Sequence, residues 1–282
     1  MAEFNDLKKR FLTSFVAIVV LALLLIFAYA PFMDWLLFAV VAFVSFASCL
    51  EWVHLAKGKE FHLHKSLLSI LSIGQVFFIF LGVKTGFNLL PIFFFFFALL
   101  LLFLDHFRKV EGALAEIAIS ALHLLYLAVP LGLILWILYG TMPKQDGRIW
   151  TFYLIAVTKI TDVAAYFCGR IFGRRKLAPI ISPKKTWEGG IGGFVLAIIV
   201  SVIFSFFSNE ETFRLPLSTA IFLGIAFGIF SQLGDLSESL LKRDVKIKDS
   251  SGLPGLGGIM DTLDSLQWNI LILFFFLQFE GF

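Results

Sequence analysis

Long apolar runs separated by short polar stretches fill this chain from end to end. The pattern predicts nine helices, at about 11–30, 32–50, 66–83, 87–104, 119–140, 149–168, 190–207, 217–236 and 266–280. Runs near 20 residues suit helices that cross a bilayer. They are continuous rather than alternating, which argues against barrel strands. The Phe run 93–97 has no amphipathic period and reads as a lipid-facing or packed stretch without chemistry. Composition narrows the class further. Of 282 residues, 59% are apolar and 15% are charged, against about 25% charged in ordinary soluble proteins. That excludes a soluble globular domain, a disordered chain and a nucleic-acid binder. The expected fold class is all-α, a polytopic membrane helical bundle.

The total charge of +3 says little, but its placement says more. With the N-terminus inside, 18 of the 23 Lys and Arg fall in inside segments, among them Lys8, Lys57, Arg108, Arg170, Lys184 and Lys242. Only Lys84, Lys144, Arg148 and Arg214 fall outside, and Lys159 lies within a span. This asymmetry predicts a cytoplasmic N-terminus and an outside C-terminus. The first ten residues read as a cytoplasmic tail before a retained helix rather than a cleaved leader. Cys49 and Cys168 read as buried thiols, not a disulfide framework.

The halves differ in character. Residues 1–140 are nearly pure span and short connection, about five spans. Residues 141–282 carry polar groups within spans and two long inside loops, 169–189 and 237–265, so any chemistry belongs there on the cytoplasmic side. Lys159 and Asp162 stand three apart on one helix face in an apolar run. Charges at that depth are costly. They read either as a neutralising pair, with Lys159 reaching for the interface, or as the lining of a polar cavity.

The first inside loop holds six cations, then Ser182-Pro-Lys184-Lys185-Thr-Trp-Glu188 ahead of a Gly-rich helix start. It has three readings: a topogenic basic loop that attracts anionic headgroups, a phosphate site on a helix N-terminus, or glycines placed for close helix packing. The second loop sets Asp235, Glu238, Asp244, Asp249, Asp261 and Asp264 among Lys242, Arg243, Lys246 and Lys248. Such oxygen donors suit Mg²⁺, which keeps sites for water and substrate phosphate. The competing reading is an interfacial loop of solvated ion pairs. His54, His62 and His64 read as polar loop residues, and His106 and His123 as interface and packing residues. Ser182, Ser237 and Ser239 are possible hydroxyl ligands, with no His to activate a serine nucleophile.

Four ordered motifs bring these residues together. They are A-A-Y-F-x-G-R from Ala164, S-P-K-K-T-W-E-G from Ser182, G-D-L-x-E-S from Gly234, and S-L-L-K-R through K-D and P-G-L-G-G to D-T-L-D-S from Ser239. The set resembles the phosphatidate cytidylyltransferases, the CDP-diacylglycerol synthases. Departures from that pattern are Leu256 for a His, Thr262 for an Arg, Thr161 for an Asn, and a gap after Asp249 one residue shorter. The resemblance implies a membrane enzyme in phospholipid biosynthesis. It would join CTP to phosphatidic acid with Mg²⁺ and release pyrophosphate, working as a homodimer in the cell's inner membrane. It implies Asp235 and Asp261 as metal ligands, with Lys242, Asp249 and Asp264 also catalytic. Ser182, Lys184, Lys185, Arg243, Lys248, Asp162, Glu188 and Ser239 would bind substrate. The alternatives are an altered-substrate or non-catalytic lipid-binding relative, or a transporter that conducts along Lys159, Asp162 and Asp235.

Overall fold

A computed structural model describes residues 19–141, 144–247 and 258–281. Its elements are α1 (Met33–Lys57), α2 (Lys65–Thr85), α3 (Leu90–His106), α4 (Ala113–Tyr139, with a π turn at Leu124–Ala128), α5 (Gly147–Phe172), β1 (Lys176–Ala178), β2 (Ser182–Thr186), α6 (Trp187–Ser205), α7 (Leu217–Asp244) and α8 (Ile259–Phe279). Among the described residues seven helices are long and apolar enough to cross a membrane, all but the 17-residue α3. The chain is an all-α polytopic membrane bundle. The first expected span, 11–30, lies partly outside the described residues, and 19–26 of it are helical.

The expected inside loops are shorter than their polar composition suggested. Residues 169–172 complete α5, 237–244 complete α7, and 259–265 open α8. Apolar runs mark only the part of a helix that lies in hydrocarbon. Polar turns beyond it continue the helix wherever they have partners of their own. Between α5 and α6 the chain forms an antiparallel hairpin, pairing Lys176 with Thr186 and Ala178 with Ser182.

Caps set where the helices start. The Asp146 carboxylate accepts the Arg148 N–H at 2.9 Å ahead of α5. The Thr186 hydroxyl accepts the Gly189 N–H at 3.2 Å ahead of α6. Each satisfies an amide that has no partner within its helix.

The helix ends sort into two opposite sets. At one end Lys59 meets Asp244 at 2.7 Å, Glu116 accepts the His62 N–H at 2.9 Å, and Arg243 donates to the Ile181 carbonyl at 3.1 Å. At the other, Tyr29 donates to Asp146 at 3.1 Å, Lys84 pairs with Asp34, and Gln145 donates to the Glu210 carbonyl at 3.2 Å. The basic segments near Lys59, Lys109, the hairpin and Arg243 therefore share one end, as the charge count required. Phe93, Phe96 and Phe97 face outward, while Phe94 stacks on Phe78 at 4.6 Å. Cys49 is buried, but Cys168 is only half-buried, a correction to the sequence reading.

The main core joins α4, α5, α7 and α8 through Trp136, Trp150, Tyr153, Phe227 and Ile270. Helices α7 and α8 approach closely at Gly234, where a Cβ would overlap the Asp264 carbonyl oxygen. Gly234→Ala should therefore push α8 off α7 and cost about 1–3 kcal/mol. A lowered thermal midpoint in detergent is the expected readout.

Candidate functional site

Three helices bring a row of acids to the basic end of the bundle. Asp162 comes from α5, Asp235 and Glu238 from α7, and Asp261 and Asp264 from α8. The Asp162 and Asp264 carboxyl groups both lie in the field of Asp235, and Glu238 lies against Asp261. Three lysines thread the row. Lys185 of β2 sits 2.9 Å from Asp235, Lys242 bridges Glu238 at 2.9 Å and Asp261, and Lys159 lies 3.4 Å from Asp162. These lysines offset part of the charge of the row.

Helical spacing produces this alignment. Asp235 and Glu238 are three apart on α7, and Lys242 follows Glu238 by four. Asp261 and Asp264 are three apart on α8, and Lys159 and Asp162 are three apart on α5, so each pair shares a face. Asp162 is tied down on both oxygens, by Ser231 at 2.9 Å and Ser265 at 2.8 Å. Lys159 also donates to the Thr262 carbonyl at 2.9 Å and to Ser265 at 3.0 Å. Both sequence readings of Lys159 and Asp162 hold at once, since they pair and Asp162 also lines a cavity.

That cavity, about 330 Å³, lies between α5, α6, α7 and the hairpin. Arg170, Lys184 and Lys185 line it together with Asp162, Asp235 and Gln232. Glycines build its floor. A Cβ on Gly189 would meet the Ala165 carbonyl at 2.6 Å, so α6 can lie against α5 only without a side chain there. Close packing thus accounts for part of the Gly-rich run, and it sits beside the cations rather than in place of them.

The remaining expected site residues are placed as follows. Glu188 accepts the Arg174 N–H at 3.0 Å and the Arg175 N–H at 3.2 Å, so its carboxylate pins the hairpin base. Arg243 spends its guanidinium on the Ile181 and Ile247 carbonyls and holds the hairpin against α7. Ser182 opens β2, and Ser239 lies half-buried in α7. The Ser237 hydroxyl returns to the Leu233 carbonyl at 2.8 Å. Lys248, Asp249 and Leu256 lie outside the described residues. Thr262, in place of an Arg, donates to the Gly258 carbonyl at 3.2 Å.

Sequence reasoning missed Glu51. From the end of α1 it accepts the Ile259 and Met260 N–H groups at 2.8 and 2.9 Å. A buried acid thus caps the helix that carries Asp261 and Asp264, where the helix dipole favours negative charge. Its one signal was a carboxylate at the edge of an otherwise apolar run. Asp261 adds to this cap by accepting the Gly258 N–H at 3.1 Å.

Among the described residues no three His, Cys, Asp or Glu side chains converge as a ready ligand set. A hard dication does not need three, because Mg²⁺ commonly takes one or two carboxylates and fills its shell with water and phosphate. The row fits that mode. It brings Asp235 and Asp264 together, and the buried Glu238 Oε1 has no hydrogen-bond donor among the described residues.

Known proteins resemble this sequence. A model described as the cytidylyltransferase family matches residues 8–280. A phosphatidate cytidylyltransferase of Chlamydia pneumoniae is 33% identical, over 97% of this chain and 92% of its own. Those of Haemophilus influenzae and Bacillus subtilis are 44% and 42% identical over 45% and 47% of this chain, and 44% and 49% of their own.

Glu51→Ala strands two buried amides and should cost about 1–3 kcal/mol for each. Glu51→Gln retains an acceptor, so its thermal midpoint in detergent should lie between those of wild type and the Ala variant.

Proposed function

The chain belongs to the cytidylyltransferase family, and from that premise we propose that it is a membrane nucleotidyltransferase joining CTP to phosphatidic acid. The products are CDP-diacylglycerol and pyrophosphate. The observation that carries this reading is the cavity in which Arg170, Lys184 and Lys185 stand beside Asp162 and Asp235. Such a surface, with cations and carboxylates side by side, suits phosphates that arrive with a cation.

The reaction needs no covalent enzyme intermediate. A phosphatidate oxygen forms a bond to the α-phosphorus of CTP, and the bond from that phosphorus to pyrophosphate breaks. The protein's work is to align two anionic groups and offset their repulsion. Lys184 from the hairpin and Arg170 from α5 bind phosphate oxygens. Lys185 holds Asp235 until a phosphate oxygen competes for its ammonium group. Lys242 keeps Glu238 and Asp261 from repelling each other, so both stay in place as charge enters. Asp235, Asp264 and Asp261 are the residues that would hold Mg²⁺, which when bound neutralises phosphate charge and stabilises the leaving group. Asp162, fixed by Ser231 and Ser265, shapes the cavity wall.

The positive-inside asymmetry supports an inner-membrane protein with the N-terminus and the site facing the cytoplasm, where CTP is. Phosphatidate then arrives sideways from the inner leaflet. A homodimer is the assembly suggested by the family resemblance.

The test follows labelled CMP from CTP into lipid, using the full chain in detergent–phosphatidate micelles with Mg²⁺ or with EDTA. Labelled CDP-diacylglycerol that disappears with EDTA is the expected result. Absence of product from folded protein would overturn the reading. Asp235→Asn and Asp261→Asn should each lower kcat at least a hundredfold while the protein stays folded. Near-normal turnover in either would remove that residue from the metal assignment.

A further inference from the structure

One buried hydroxyl beside the acid row has no part in the chemistry above. Tyr126 lies in the π turn of α4. The turn has a local cause in Pro130, which offers no N–H and whose ring would press on the Tyr126 carbonyl four residues back. The backbone widens instead, and the Val129 N–H reaches back to the Leu124 carbonyl. Turns of this kind occur often at functional sites.

The π turn sets the Tyr126 ring among residues that flank the row. Its centroid lies 6.3 Å from Trp268, one helical turn beyond Asp264, and 6.4 Å from Trp52. The ring packs in one apolar cluster with Met260, next to Asp261, and Leu241, next to Lys242. The phenol oxygen is buried in the field of Asp264, Glu238 and Asp235, yet it has no hydrogen-bond partner among the described residues. Buried hydroxyls are nearly always bonded, so a donor in this position calls for an acceptor. The carboxyl groups of the row offer such acceptors.

We propose that Tyr126 is a positioning residue, whose hydroxyl donates to the Asp235–Asp264 pair from behind and holds those carboxylates turned toward a divalent cation. Carboxylates that bind metals are commonly oriented by such outer partners, and losing one typically costs 10- to 100-fold in affinity or activity. The inference rests on the reading that this row works with a divalent cation.

Tyr126→Phe tests it, because the ring stays between Trp52 and Trp268 and only the oxygen is lost. Two readouts apply to the full chain in detergent. One is the Mg²⁺ concentration that gives half-maximal turnover, and the other is the Mn²⁺ concentration that gives half-maximal thermal stabilisation without substrates. Both should rise about tenfold or more in the Phe variant, with KM for CTP at saturating Mg²⁺ within about twofold of wild type. Tyr126→Ala, which also removes the packing, should lower the cation-free thermal midpoint, whereas Phe should not. Wild-type values for Phe in both cation titrations overturn the inference. So does a cation-free midpoint that falls as far in Phe as in Ala, which makes the hydroxyl a structural group. A wild-type protein that Mn²⁺ stabilises but that makes no CDP-lipid overturns the proposed reaction and leaves this inference to the Mn²⁺ comparison. A wild-type protein with neither property overturns both.

Discussion

Everything at the basic end of this bundle depends on keeping five carboxylates close together at the edge of an apolar medium. Unpaired, such groups would repel one another and lose hydration. Three lysines, from three different elements, prevent this. Lys159 belongs to α5, Lys185 to the hairpin and Lys242 to α7; the Lys185–Asp235 and Lys242–Asp261 pairs join separate elements, and Lys159 reaches α8 through the Thr262 carbonyl and Ser265.

The helices around the row are cut to unequal lengths. Lys159 bonds the first turn of α8, yet α5 continues from there to Phe172, about 20 Å of further helix. The acids therefore lie in a recess walled by α5, α7 and the hairpin, not on a flat surface. Glu51 sets where α8 begins, and so sets the depth of that recess. An acid in the half of the chain without motif residues fixes the geometry of the half that has them.

The helical class and most of the spans were legible because apolar length is a direct record of the bilayer. The polar ends of α5, α7 and α8 were not, since their length depends on partners supplied by distant segments. Asp162, Lys185 and Asp235 were legible as a set through the ordered motifs, and the structure brings them to one cavity. Glu188 and Arg243 were legible as charges, but their bonds to backbone groups at the hairpin base, at Ile181 and at Ile247 were not, since those partners lie across the fold. Glu51 and Tyr126 were missed for a related reason. Each works across a helix interface, and neither has a local spacing to announce it.

The hairpin has a consequence for how a lipid would be handled. Ile180 at its tip is 90% exposed, and Arg174, Arg175 and Lys176 lie at its base. An apolar tip with basic residues at its base suits the boundary between headgroups and acyl chains. A hairpin seated there would bring the mouth of the recess level with lipid phosphates. Lifting a two-chain lipid out of a bilayer costs about 0.8 kcal/mol for each buried CH₂, which sums to more than any small cavity can return. A recess at headgroup height removes that cost, because the phosphate moves sideways into it while the chains stay where they are.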